Sequence, residues 1–128
     1  MSDMRDAGDA TRRKVLGERH VNRSRKGDAV LDPPFVDLIT EAAWGHVWSR
    51  GTISLRERSM MTIALLAGLG NFEELALHIR ATANTGASKE DVLEALMHVA
   101  IYAGVPRANH AIKVARETFA EMEEKTDG

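Results

Sequence analysis

The stretch SLRERSMMTIALLAGLGNFEELALHIRATANTG, residues 54–86, decides the fold. Ser54 and Glu57 stand in the S-x-x-E spacing of a capping box, directly ahead of an apolar run. That run, MMTIALLAGLG, is hydrophobic nearly all round, the pattern of a helix buried in a core or in a subunit interface. Gly68 and Gly70 close it. Asn71 opens a second helix, and Gly86 ends that helix as a glycine just past a helical terminus does. Two helices separated by so short a joint predict an all-α fold.

The same punctuation extends in both directions. A first helix is expected through ATRRKVLGERH (10–20), stopping near Gly17, with residues 1–5 frayed. The stretch NRSRKGDAVLDPP (22–34) reads as an irregular connection. Asp32 can cap, and a proline can open, a helix through FVDLITEAAWGHVWSR (35–50). Downstream, Ser88 to Asp91 starts a helix in which Val92, Leu96, Val99 and Ala103 repeat at about 3.6 residues. Gly104 ends it, Pro106 begins the last helix, and the chain fades into EMEEKTDG. The expectation is a single-domain bundle of about six helices over residues 1–128, with 1–10 and 121–128 flexible.

Composition agrees. The 128 residues are 44% hydrophobic, enough for one core, and only 5% aromatic with three prolines. A formal charge of −2 gives no global attraction to nucleic acid or an anionic bilayer. No apolar run approaches the ~20 residues of a membrane span, and the N-terminus has no apolar signal core. There are no cysteines. That is compatible with the cytoplasm, the expected location, and it excludes disulfides and a cysteine nucleophile.

Several groups of residues can carry chemistry. Glu74 and His78 lie four apart, one turn of helix from each other. Asn71 and Glu74 also have capping-box spacing, so Glu74 can cap the helix, orient the His78 imidazole and favour its protonated form, or do all of these. In IYAGVPRANHA (101–111), Tyr102, Arg107, Asn109 and His110 cluster about a helix–turn–helix joint, where free N–H groups attract anions. WGHVW (44–48) sets Trp44 and Trp48 one turn apart around His46, most simply as packing. Arg12 to Lys26 holds seven basic residues against Glu18, by default a solvated face. The histidines show no metal-binding spacing, and His98 reads as a packed residue.

Taken in order, RRKVLGERHVNRS, FVDLITEAAWGHVWSRGTISLRERSMMTIALLAGLG, FEELALHIRATANTGAS and IYAGVPRANHA resemble the γ-carboxymuconolactone decarboxylase family of protocatechuate catabolism. The resemblance spans about residues 12–120. The wider alkylhydroperoxidase-D-like superfamily carries C-x-x-C-x-x-x-H. Aligned on His78, its two cysteine positions fall on Asn71 and Glu74, so thiol peroxidase chemistry is excluded. His46 departs from the family pattern, where an acidic residue is common after Trp-Gly.

The resemblance implies decarboxylation of 4-carboxymuconolactone to β-ketoadipate enol-lactone without cofactor or metal. It implies His78 as proton donor or oxyanion partner, Glu74 orienting it, and His110 as second candidate. Arg58, Arg80 and Arg107 are candidates for the substrate's acetate carboxylate, with Trp44, Trp48 and Tyr102 lining the site. A homo-oligomer, a hexamer by family analogy, is implied as well. The alternatives are a paralogue acting on another lactone and a non-catalytic oligomeric binding protein.

Overall fold

Gly70 and Gly86 both adopt left-handed backbone angles, φ 80° and 85°. Any other residue there strains the backbone by about 1–2 kcal/mol, so the chain turns at these points. The computed structural model, which describes residues 3–24 and 27–127, builds helices between such joints. They are α1 (Asp3–Leu16), α2 (Glu18–Ser24), α3 (Asp32–Ile39), a π-helical segment (Thr40–Trp48), α4 (Leu55–Leu69), α5 (Phe72–Thr85), α6 (Lys89–Tyr102) and α7 (Val105–Asp127). No strand occurs among the described residues, in agreement with the all-α expectation. The frayed start is not observed in the described part: α1 begins at Asp3, with Asp3 and Asp6 placed to complement its N-terminal dipole. At the other end α7 runs on to Asp127.

The chain divides into two compact units, up to Ser54 and from Leu55 onward. In the first, α1 packs along the π-helical segment, backbone against backbone. A Cβ at Gly8 would lie 2.1 Å from the Thr40 carbonyl oxygen, and one at Gly45 would lie 2.2 Å from that of Met4. Trp44 and Trp48 are buried there, their rings 4.9 Å apart and tilted by 30°. The expected regular helix over 35–50 is therefore corrected, because its second half is π-helical. Bonding to the fifth residue onward leaves no local signature that hydrophobic spacing reveals.

Two further expectations change in this unit. Asp32 does not cap α3; the Asp28 carboxylate instead accepts from the N–H groups of Val30 (2.8 Å) and Leu31 (3.0 Å). Those two bonds, Leu31's first, hold the Asp28 carboxyl below the usual range. Nor is the basic run simply a solvated face. Arg12 is buried, its Nη2 donating to Ser24 Oγ at 3.1 Å, and Arg13 pairs with Asp9 and Glu18. Arg25 and Lys26 lie outside the described residues.

In the second unit α4 and α5 form a helical hairpin on which α6 and α7 pack. Ile63 and Ala67 from α4, Leu75 and Ile79 from α5, Leu96 and Val99 from α6, and Ala111 from α7 form the buried core. The helix read as hydrophobic all round divides into a buried face through Ser59, Ile63 and Ala67 and an exposed face through Met61, Leu65 and Leu69. At the start of α6 the capping box is complete. Asp91 N–H donates to Ser88 Oγ at 3.0 Å, and Ser88 N–H donates to Asp91 Oδ2 at 2.9 Å. The Arg56 guanidinium grips the same carboxylate through Nε (2.7 Å) and Nη2 (2.5 Å), tying the first turn of α4 to that of α6. Among the described residues, no helix is long and apolar enough to cross a membrane.

Candidate active site

The buried face of α5 runs through Leu75, His78, Ile79, Thr82 and Thr85, the three- and four-residue spacing of one helical stripe. The imidazole at position 78 therefore belongs to the inner stripe; only 9% of the residue is exposed and its Nδ1 is shielded from solvent. Glu74 sits one turn earlier but on the solvent edge, exposed. The predicted capping box around it is not formed. The Asn71 side chain makes no capping bond, and the Asn71 N–H that Glu74 would have accepted is taken by the Leu66 carbonyl at 2.9 Å. The tight Gly70 joint brings that carbonyl into reach first, so the backbone displaces the side chain.

Across the hairpin, the N-terminal part of α4 contributes Arg58 and Ser59. Arg58 is half-buried with its Nε shielded from solvent, and Ser59 is fully buried. Ser59 Oγ and Thr85 Oγ1 make no hydrogen bond among the described residues. A hydroxyl left so in an otherwise apolar stripe is costly, on the order of 1–3 kcal/mol. Neither residue stands out in the sequence, except that Ser59 precedes Ile63 by four positions and so falls in the buried stripe.

The start of α7 is drawn onto the α4–α5 joint. The His110 ring stacks on Phe72, centroids 3.9 Å apart and planes 25° apart. The Arg107 guanidinium lies over Gly70, where an added Cβ would come within 1.7 Å of Nη1. Gly70 thus does two things: it turns the chain and leaves the space that Arg107 occupies. Nothing in the sequence marks Phe72 and Gly70 as contributors, because only the approach of α7 gives them these contacts. His110 also lines a groove of about 580 Å³ with Asn109, Lys113, Arg116 and the acidic Glu117, a wall rich in charged and hydrogen-bonding groups.

The remaining candidates separate. Arg80 points outward and pairs with Glu121 at 3.8 Å; it lies two residues beyond His78, about 200° round the helix and away from the buried stripe. Tyr102 is exposed at the end of α6, its ring nearly parallel to that of His98 at 6.2 Å. His98 is itself exposed, which corrects its reading as a packed residue. Trp44 and Trp48 belong to the first unit and pack against each other.

Comparison with known proteins follows the same line. Residues 33–117 match the model of the carboxymuconolactone decarboxylase family. The 4-carboxymuconolactone decarboxylase of Acinetobacter baylyi is 41% identical over 111 residues, covering 87% of this chain and 83% of the relative. The nitrosuccinic acid decarboxylase of Metarhizium robertsii is 35% identical over 120 residues, covering 94% of this chain and 84% of the relative. An uncharacterised 15.0 kDa protein of Paracoccus denitrificans is 24% identical over 97 residues, 74% of this chain and 72% of the relative.

Proposed function

Since the chain belongs to the carboxymuconolactone decarboxylase family, we propose that it removes carbon dioxide from 4-carboxymuconolactone to give β-ketoadipate enol-lactone. It is a carboxy-lyase. The observation that carries the substrate reading is 41% identity to a 4-carboxymuconolactone decarboxylase across most of both chains.

The chemistry asks little of the protein. The bond between the γ-carbon and its carboxylate breaks, and carbon dioxide leaves. The electron pair passes through the ring alkene to the lactone carbonyl oxygen, giving a dienolate. One proton then arrives at the carbon α to that carbonyl. The substrate is its own electron sink, so catalysis consists of stabilising an oxyanion and delivering a proton. A prearranged donor at an oxyanion contributes roughly 3 kcal/mol, and a positioned acid about 10²–10⁴-fold. Nitrosuccinic acid, named for the Metarhizium relative, is electronically alike: the charge left after loss of carbon dioxide also rests on oxygen.

In this reading His78 delivers the proton or meets the oxyanion from its water-poor position on α5, and His110 takes the other of these two tasks. Arg58 and Arg107 bind the carboxylates. Arg80 is set aside because Glu121 already holds it on the outer surface. Glu74 does not serve as a cap. The protein works in the cytoplasm as one domain of a homo-oligomer on a small dicarboxylate lactone.

A spectrophotometric assay with freshly prepared 4-carboxymuconolactone tests the reading. The purified protein without additives is expected to consume it at enzymatic rates; absence of turnover sinks the substrate assignment.

A further inference from the structure

We propose that Lys113 is a further specificity-determining residue, whose ammonium holds the acetate carboxylate of 4-carboxymuconolactone, the one that the reaction leaves in place. This rests on the substrate reading above and adds to it a residue and the carboxylate it serves.

Most lysines and arginines of the second unit are already engaged. Arg56 pairs with Asp91, Arg80 and Lys125 with Glu121, and Lys89 with Glu123. Arg58 has interactions of its own. Three cations form no ion pair among the described residues: Arg107, Lys113 and Arg116, all on the first half of α7. With His110 they recur every three residues, so each is the neighbour of the next along a slowly winding stripe.

Lys113 is the cation set beside the chemistry. It is exposed and shares the groove of about 580 Å³ with His110 and Asn109. Its Cα lies about 4.5 Å further along the helix axis than that of His110, and Arg107 stands the same rise before it. The His110 ring, fixed by stacking on Phe72, therefore has a cation one turn away on either side. Arg116 and Glu117 line the same groove. They lie about 9 and 10.5 Å beyond His110, and as adjacent opposite charges they largely offset each other. Glu117 forms no ion pair with Lys113. It follows the lysine by four residues, the weaker order for such a pair on a helix.

Charge decides which carboxylate the lysine serves. The substrate is a dianion and the protein carries a formal −2, so its approach is favoured by local positive charge. The departing carboxylate loses its charge as carbon dioxide forms. A cation fixed on it would stabilise the substrate more than the transition state. The acetate carboxylate keeps its charge throughout. A solvated ammonium on a flexible stem suits that group: bound equally in substrate and transition state, it lowers KM and leaves kcat alone.

Steady-state kinetics with 4-carboxymuconolactone on Lys113→Ala, Lys113→Glu and Lys113→Arg test this, with Lys125→Ala as the control for loss of one surface charge. Lys113→Ala should raise KM about 3- to 5-fold at unchanged kcat, the size expected of one exposed charge pair. Lys113→Glu should raise it at least about 10-fold, and Lys113→Arg should stay within about twofold of the wild type. Added salt should raise KM for the wild type more than for Lys113→Ala. With the acetate arm masked as its methyl ester, wild type and Lys113→Ala should have the same KM. A wild type without turnover removes the substrate reading and this inference with it. Turnover with KM unmoved in the alanine and glutamate variants, a fall in kcat as large as the rise in KM, or an equal rise in Lys125→Ala overturns the role of Lys113 alone. So does a full Lys113→Ala penalty on the ester, which would put the lysine at the departing carboxylate.

Discussion

Replacing Gly70 by alanine isolates what the α4–α5 joint does for Arg107. Gly70 and Gly86 have nearly the same left-handed φ, 80° and 85°, but different surroundings. A Cβ at Gly86 meets nothing within 4 Å, whereas one at Gly70 would fall 1.7 Å from Arg107 Nη1. Gly86→Ala should therefore show the backbone cost alone, about 1 kcal/mol. For 128 residues the unfolding entropy is about 0.27 kcal/mol/K, so Tm should fall by about 4 °C.

Gly70→Ala carries the same backbone cost, and the far end of an arginine swings aside easily, so its Tm should fall by a similar amount. The difference should appear in binding. If Arg107 holds a substrate carboxylate, its displacement loses a charge-assisted hydrogen bond of about 1.5–3 kcal/mol, raising KM roughly 10- to 100-fold. Gly86→Ala should leave KM unchanged. Steady-state kinetics on both variants, and on each combined with Arg107→Ala, complete the cycle. Once Arg107 is gone, Gly70→Ala should add nothing further to KM. Equal KM for Gly70→Ala and the wild type would refute Arg107 as an anchor. A Tm loss for Gly70→Ala more than twice that of Gly86→Ala would show that the guanidinium cannot yield.

Other outcomes follow from the site and the clasp at α6. His78→Gln should lower kcat at least 100-fold while circular dichroism and Tm stay near wild type, since a positioned acid contributes about 10²–10⁴-fold; near-normal turnover removes His78 from the chemistry. Glu74→Ala should shift Tm by no more than about 2 °C, as expected of a residue that makes no cap. Arg80→Ala should leave KM within a factor of about two, because only an exposed ion pair is lost. Asp91→Asn tests pH linkage. The Arg56 guanidinium, then the Ser88 N–H, hold the Asp91 carboxyl well below the usual carboxylate range. A depressed folded-state pKa contributes stability that is fully present above the unfolded value near ~3.9 and is lost as pH falls toward the folded one. The Tm gap between wild type and Asp91→Asn should therefore be widest at neutral pH and narrow below about pH 4; a gap independent of pH would contradict it.

Much of this molecule is legible one residue at a time. Gly70, Gly86 and Gly104 mark helix ends because φ is a property of a single residue. The Ser88–Asp91 cap is readable because both of its hydrogen bonds close within four positions. The lack of cysteine settles the peroxidase question with no structure at all. The Asn71–Glu74 spacing, by contrast, matches that of Ser88–Asp91 and yet forms no cap, since the Leu66 carbonyl competes for the same N–H. Local spacing states what can bond, not what else has arrived there first.

The tertiary structure alone decides which face each helix turns inward. It buries His78 and leaves Glu74 in solvent, although one helical turn separates them. It lays Arg107 over Gly70 and His110 on Phe72 across more than 30 positions of chain, and divides the apolar run of α4 into a core face and an open one. Conformational preferences and caps act over one turn of helix and are written in neighbouring residues. Burial and approach depend on where other helices come to rest, which no stretch of this sequence states by itself.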